Sequence, residues 1–480
     1  MRRATEYAVV DKYPFFKGYV EEFGKVSIDN DIPAMLSFFF IQGQVAAPFV
    51  RIPWDATHLD PRLHSFWIQP SRTGKSIAWE FVGKVLEDCG VPTDAYNGGS
   101  DAGLIGGTKT EMVPDEQTGK KKPEIIETEG LLHHRIALNF DEGSILLNPN
   151  KNNQDTVLYL QTACNPIGSK SNVIVKHLSG RRFELKPTAS MWITTYPPAG
   201  VKEYVLTKGI FQRVLLYWSH WDMDRRKKVS QTRMSMAFAK SPESTVSYDD
   251  IVNYFKTLEK RLFARMRNTA GITFAEWDDM KDSPDEREEI VQSVMWEMFK
   301  TDESFYAATY DVIDDFYSLL DGLNFAIADV VSSFIPAMEN YSVILATHIA
   351  MMDNYENDPE LDSSWVVTGE HLDMAKDVLY DLFKNLISWL EGEVEVGAKK
   401  VEKAAHKKEW MDALNSVNTV ELDKRGEGWR KKAAVIKQYM LNQHVTRPTA
   451  FKKFNDWAAH MFNATKDGQT VYIRLKEGEQ

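Results

Sequence analysis

Gln69-Pro70-Ser71-Arg72-Thr73-Gly74-Lys75-Ser76 stands between an apolar run, Phe66-Trp67-Ile68, and an amphipathic stretch, Ile77 to Leu86. The order strand, loop, helix is the context that a phosphate-binding loop requires. Backbone N–H groups of such a loop and the positive end of the following helix face the phosphates. Residues Pro70, Ser71, Arg72, Thr73, Gly74, Lys75, Ser76 and Ile77 are therefore the expected nucleotide-binding set. Lys75 is placed to reach the β- and γ-phosphates of ATP, and the Ser76 hydroxyl to ligate Mg²⁺. Two positions depart from the usual pattern: Gln69 occupies the opening glycine, and Arg72 a position where small residues are common. The bland alternative is a chance Gly-Lys-Ser at a helix start.

A second motif points the same way. Ile136-Ala137-Leu138-Asn139-Phe140-Asp141-Glu142 is an apolar strand ending in two acids. It is expected beside the phosphate-loop strand, with Asp141 holding Mg²⁺ and Glu142 orienting and polarising the attacking water. Met191-Trp192-Ile193-Thr194-Thr195-Tyr196 is a strand ending in hydroxyls, where Thr194 or Thr195 can sense the γ-phosphate; Thr195 is taken as the catalytic candidate. Gly209-Ile210-Phe211-Gln212-Arg213 places an arginine just before another apolar strand. Such an arginine acts on a neighbouring subunit's nucleotide, stabilising transition-state charge. Its alternative is a surface ion pair of little worth.

The 480 residues, 43% apolar and 26% charged, exclude a disordered or fibrous chain. Fifty-seven basic against 69 acidic side chains leave a net charge of −12, which excludes a uniformly basic nucleic-acid coat. Two cysteines, Cys89 and Cys164, cannot build a disulfide framework, and a reducing, cytoplasmic setting fits them. The apolar runs 34–50 and 323–337 are too short or too polar to span a bilayer, so no membrane association is expected. His133 and His134 lack further ligands at metal spacing.

Four regions follow from the pattern. Residues 1–60 read as an N-terminal helical segment with an aromatic cluster at Phe38 to Phe40. Residues 61–225 alternate β-type runs (His64–Ile68, Arg135–Phe140, Met191–Tyr196, Phe211–Trp218) with helices, which predicts an α/β ATPase core. Residues 226–410 read as mostly helical: Tyr254, Leu258, Leu262 and Met266 share one face, Glu276 to Glu289 is solvated, and longer helices are expected over Phe305–Met338 and His371–Leu390. Residues 421–480 carry +5, against −17 for the rest.

In that last region Glu427 to Leu441 reads as a helix, Pro448 opens a second one, and Asp467-Gly468 marks a hairpin tip. This is a winged-helix pattern, with Arg447, Lys452, Lys453 and Lys466 as the expected DNA-facing cations. A protein-contact role for the same module is the alternative. Lys170, Lys176, Arg181 and Arg182 lie on a candidate hairpin that would hold single strands in the centre of a ring, or else protect a sheet edge. Lys120 to Lys122 form a weaker candidate.

Taken together, Pro-Ser-Arg-Thr-Gly-Lys-Ser, Asn-Phe-Asp-Glu-Gly-Ser, Thr-Thr-Tyr-Pro-Pro and Gly-Ile-Phe-Gln-Arg-Val-Leu resemble phage- and plasmid-encoded P-loop ATPases, found as the helicase half of primase–helicase proteins. The resemblance runs over residues 30–390, and Val366 to Ala375 looks like that family's helical lid. It implies an AAA- or RecA-like core with ATP and Mg²⁺ as cofactors. It also implies a homo-oligomeric ring of six subunits acting on single-stranded and forked DNA, in the host cytoplasm where the gene is a phage's. Any primase would then be a separate chain, as would a polymerase. The expected activity is an ATP-dependent DNA helicase or translocase in mobile-element replication. An ATP-switched DNA-binding protein (origin binder, helicase loader or regulator) is the alternative; a packaging motor or a metabolic kinase fits less of the chain.

Overall fold

Ser65–Ile68 (β1), buried at all four positions, is the strand on which the rest of the sheet is arranged. Thr93–Ala95 (β2), Ala137–Phe140 (β3), Ser190–Thr195 (β4) and Leu215–Trp218 (β5) complete it, in the order β5-β1-β4-β3-β2. Every pairing is parallel. Parallel strands covered on both faces read as continuous apolar runs, and β1, β3 and β4 are buried throughout. The computed structural model describes residues 2–54, 57–96, 101–114, 121–147, 154–178, 181–198, 209–238, 244–357, 365–392, 409–422, 426–443, 445–458 and 461–476. Lys120 and the basic run 399–408 lie outside them, as do the side chains of Lys122, Arg181 and Trp457.

The sheet order corrects one expectation. The acidic strand β3 does not adjoin β1; β4 stands between them, pairing with β1 through Trp192–Thr195 and with β3 through Ser190–Ile193. Burial patterns are the same for all three strands, so only the crossover connections decide the order. From β1 the chain runs to the far edge at β2, then steps back through β3 and β4 and past β1 to β5. The direction reverses around β1, and the crevice beyond the carboxyl ends of the strands at such a reversal is where ligands bind in open α/β sheets.

The N-terminal segment is not peripheral. After Pro14–Val26 (α1), helix Asp31–Ala46 (α2) is buried from Ile32 to Ala46. Phe40 meets Trp192 of β4, and Phe38 meets Phe16 and Tyr19 of α1. Lys75–Asp88 (α3) and Gln154–Ala163 (α4) follow β1 and β3. Then come Met223–Phe238 (α5) and Tyr248–Ala270 (α6), the latter opened by a reciprocal Ser247–Asp250 cap and closed by Gly271 at φ +67°. On α6, Tyr254, Leu258, Leu262 and Met266 are all buried, as their spacing predicts. The single helix expected over Phe305–Met338 is broken into Glu303–Ser318 (α7), Phe325–Ser332 and the start of Ile335–Asn357 (α8), with Gly322 at φ +83° in the first break.

Gly369–Gly392 (α9), which holds most of the stretch likened to a lid, packs along β5. Its Asn385 accepts from the Trp218 N–H and donates to the Trp218 carbonyl, both at 2.8 Å. The open edge of the sheet is thereby closed. Two hairpins project from the sequence between the sheet strands: Gly107–Pro114 with Lys121–Thr128, and Ile174–Leu178 with Arg181–Leu185. No helix among the described residues is long and apolar enough to cross a membrane.

Residues 1–394 form one compact unit and 395–480 a second. In the second, a helix at 409–415 precedes Val420–Leu422 (β6), Gly426–Lys431 (β7), Lys432–Gln443 (α10), Arg447–Lys453 (α11), Phe462–Asp467 (β8) and Thr470–Leu475 (β9). Its antiparallel sheet has the order β6-β7-β9-β8. Trp410 stacks on Tyr439 with ring centroids 3.7 Å apart, so the end of the region read as helical belongs here. The helix expected from Glu427 begins instead at Lys432. Gly428 at φ +90° cannot sit in a helix, and the pairing of Trp429 with Val420 and of Lys431 with Tyr472 holds the segment in the sheet. Gly468 at φ +57° takes the first central position of the two-residue turn between β8 and β9, the position that glycine serves in a type II′ hairpin.

Candidate nucleotide-binding site

The segment 69–76 joins β1 to α3, and its backbone is held from outside. Gln69 is fully buried. Its side-chain carbonyl accepts from Trp67 Nε1 at 2.7 Å, and its amide donates to Asn30 Oδ1 at 3.0 Å. Asn30 Nδ2 in turn donates to the Thr73 carbonyl at 2.8 Å, and Ser27 Oγ to the Gly74 carbonyl at 3.0 Å. Gly74, at φ +98°, leaves no room for a side chain: a Cβ would stand 2.8 Å from Ser27 Oγ. Arg72 adopts φ +63° with its side chain exposed, a left-handed conformation that costs a non-glycine residue about 1–2 kcal/mol. The loop's carbonyls are thus tied back, while among the described residues no hydrogen bond uses the N–H groups of Ser71 to Ile77. Such free amides at a helix start form an anion-binding concavity.

Lys75 is buried at the bottom of this loop. Its Nζ donates to the carbonyls of Gln69 at 2.6 Å and Pro70 at 2.8 Å, and lies 4.7 Å from the Tyr196 ring centroid. Burial pulls its pKa down from the usual 10.5 to about 8, a shift partly offset by the negative charge of Asp141. Asp141, just past β3, accepts from Ser76 Oγ at 3.3 Å and from Thr194 Oγ1 at 3.2 Å. The Gly143 N–H donates to the Thr194 carbonyl at 2.8 Å, which locks the ends of β3 and β4 together. A hydroxyl and a carboxylate converging in this way are hard oxygen donors suited to Mg²⁺. Glu142 is exposed beside Asp141.

Lys75, Ser76 and Asp141 are therefore brought together, with Pro70 to Gly74 and Ile77 around them. Thr195 is not brought into this cluster. The strand pleat sends successive side chains to opposite faces, so Thr194 meets Asp141 while Thr195 Oγ1 is buried with no hydrogen-bond partner among the described residues. Arg213 stands at the other end of the sheet: Leu215 is level with Ser65, the first residue of β1, whereas the loop follows the last. It donates to Asn165 Oδ1 at 3.0 Å, and Tyr341 donates to its carbonyl. It borders a cavity of about 280 Å³ shared with Asp60, Arg62 and His64. In that cavity burial, with the adjacent Arg62 charge, drives the His64 pKa down to about 3.

The expected DNA contacts are scattered. Lys170 is exposed in the turn before the hairpin; Lys176 lies over the Tyr159 ring; Arg182 is paired with Glu184 at 2.8 Å. Arg181 lies on the second hairpin strand. In the second unit Arg447, Lys452 and Lys466 are exposed, and Lys453 is half-buried. Residues missed in the sequence are Ser27 and Asn30, which clamp the loop from before β1; of the two candidate hydroxyls, Thr194 is the one that meets Asp141. The anomalous Gln69 was the signal for the first pair, because a buried amide needs buried partners. Compared with protein-family models and with curated proteins, the chain matches none.

Proposed function

We propose that this protein is an ATPase whose first unit binds and hydrolyses ATP, coupled to movement along or separation of DNA strands by a ring of copies of this chain. One observation carries the reading. Lys75, Ser76, Asp141 and Thr194 converge from three different strand ends around a loop with unused N–H groups. On this reading the loop amides and Lys75 bind the phosphates. Ser76 and Asp141 hold Mg²⁺, which neutralises charge on the phosphate oxygens when bound. Thr194 fixes the orientation of the Asp141 carboxylate, and exposed Glu142 holds the attacking water and takes its proton. Arg213 lies too far along the sheet to serve its own loop, so it would act on a neighbour's nucleotide. The basic second unit, with a helix pair and a β-hairpin, would engage duplex DNA as a winged helix.

A second reading draws on the Gln69 clamp. A loop braced by Asn30 and Ser27 communicates nucleotide binding to the N-terminal segment, as an ATP-switched DNA binder or loader would need. ATP turnover by the full chain, with and without single-stranded DNA, beside Lys75→Ala, Glu142→Gln and Arg213→Ala, decides between them. DNA-stimulated turnover lost in all three variants supports the motor. ATP binding without DNA-dependent turnover supports the switch, and no nucleotide binding at all removes both.

A further inference from the structure

Helix α5, Met223–Phe238, carries five Lys/Arg and one acid in a chain whose net charge is −12. Among its described side chains Val229 is the buried one, with Arg225, Thr232 and Met236 half-buried at helical spacing beside it. Arg226, Lys227, Lys228 and Arg233 are exposed, and among the described residues none of the four has a carboxylate partner. Arg226 and Arg233 are seven residues apart, on one side of the helix and about 10 Å from each other along its axis. Lys227 shares the outermost stripe with Gln231 and Met234, and Lys228 lies on the other flank. Met223 and Met234 are 78% and 67% exposed. Three adjacent cations repel one another in water, and an anionic strand relieves that repulsion while releasing its counterions.

The position of the helix adds to its charge. It starts just beyond the carboxyl end of β5, the edge that also carries the phosphate loop: the Ser219 N–H donates to the Ile68 carbonyl at 3.0 Å. Arg225 at its first turn is bonded to the Asp29 side chain and, at 2.8 Å, to the Asp29 carbonyl. Asp29 adjoins Asn30, the residue that holds Thr73 and Gln69. Arg225 therefore anchors the helix to the loop's own brace; Arg226 Nε donates to the Trp221 carbonyl at 3.3 Å, and Lys227, Lys228 and Arg233 face solvent.

We propose that the exposed face of α5 binds the phosphate backbone of a nucleic-acid strand, with Arg226, Lys227, Lys228 and Arg233 as the contacting residues. Contacts of lysine and arginine to phosphate oxygens hold a strand without reading its sequence. The proposal shares with the proposed function only the expectation of a nucleic-acid partner, and its test needs no ATP turnover.

The test is binding of fluorescein-labelled oligothymidylate to the full chain without nucleotide, over a salt series, for the wild type and for the combined variant Arg226→Gln, Lys227→Gln, Lys228→Gln and Arg233→Gln. Loss of four phosphate contacts lowers the slope of log K against log salt by about 3, and lowers affinity on the order of 10²-fold near 0.1 M salt. None of the four side chains is buried, so the variant keeps the wild-type melting profile and its DNA-independent ATP turnover. Arg447→Gln with Lys452→Gln in the second unit is the comparison. The proposal is overturned if the α5 variant binds as the wild type does. It is also overturned if only the second-unit variant loses affinity, or if the α5 variant changes the sedimentation of the DNA-free protein and leaves DNA affinity intact, which would make the face a contact between protein chains. Normal DNA binding through α5 in a protein that hydrolyses no ATP would sink the motor reading and leave this one standing.

Discussion

Gln69→Leu is the perturbation that separates a braced phosphate loop from an accidental Gly-Lys-Ser turn. Leucine is close to glutamine in volume, so the substitution leaves little cavity. It removes the bonds to Trp67 Nε1 at 2.7 Å and Asn30 Oδ1 at 3.0 Å. Each partner becomes a buried polar atom with no mate, at about 1–3 kcal/mol apiece. Thr73 keeps its bond from Asn30, so the third contact of Gln69, at 3.3 Å, adds little. The expected loss is about 3 kcal/mol for the first unit, read as a fall of roughly 0.5–1 M in the urea midpoint, since the slope of stability against urea grows with the size of the unit. Asn30→Ala removes the same brace from the other side. Because the two residues share one network, the double variant is expected to lose at least about 1 kcal/mol less than the sum of the singles. A Gln69→Leu midpoint within experimental error of the wild type, or strict additivity with Asn30→Ala, would refute the reasoning, since either result means that the amide network does not hold the loop.

Lys75 yields a pH dependence. Its folded pKa lies near 8, below the unfolded 10.5, so the folded state sheds its proton first. Stability therefore rises with pH between 8 and 10.5. A bound phosphate restores the ammonium, so ATP binding takes up a proton above pH 8 and weakens as pH rises through that window. Calorimetry in buffers of different ionisation enthalpy reads this uptake, and Lys75→Arg abolishes it; equal heats in all buffers would contradict the burial argument. In the second unit, Trp410→Ala deletes a fully buried indole stacked on Tyr439 and is expected to cost about 3–5 kcal/mol. Limited proteolysis of the full chain should then cut within 409–476 while residues 1–394 stay resistant; uniform digestion of both would contradict the division into two units.

Much of the site was legible in the chain because its chemistry is local. The phosphate loop needs glycine at a left-handed turn, a lysine and a hydroxyl in consecutive positions, and a strand and a helix on either side. All of these lie close together in sequence, and Gly74 has the left-handed backbone, at φ +98°, that such a turn uses. The α/β character of residues 61–225 and the buried face of α6 were likewise set by apolar spacing, which a strand of period 2 or a helix of period 3.6 transmits directly.

Whatever depended on pairing at a distance belonged to the tertiary structure. Strand order is one case: β3 and β4 are both apolar and both end in polar residues, and only crossover geometry puts β4 next to β1. The choice of Thr194 over Thr195 is another, since two adjacent hydroxyls differ only in which face the pleat gives them. Residues 426–431 became a strand because Trp429 and Lys431 found partners in β6 and β9, a gain that local helix preference could not match. The place of α2 was decided in the same way. Its aromatic cluster announced burial, but a sequence of apolar residues does not say what will cover it, and here α1 and β4 do. Composition and spacing thus determined which residues could make a phosphate site. The packing of Asn30, Ser27 and Gln69 decided how its loop is held, because hydrogen bonds between segments 40 residues apart exist only once the chain has folded.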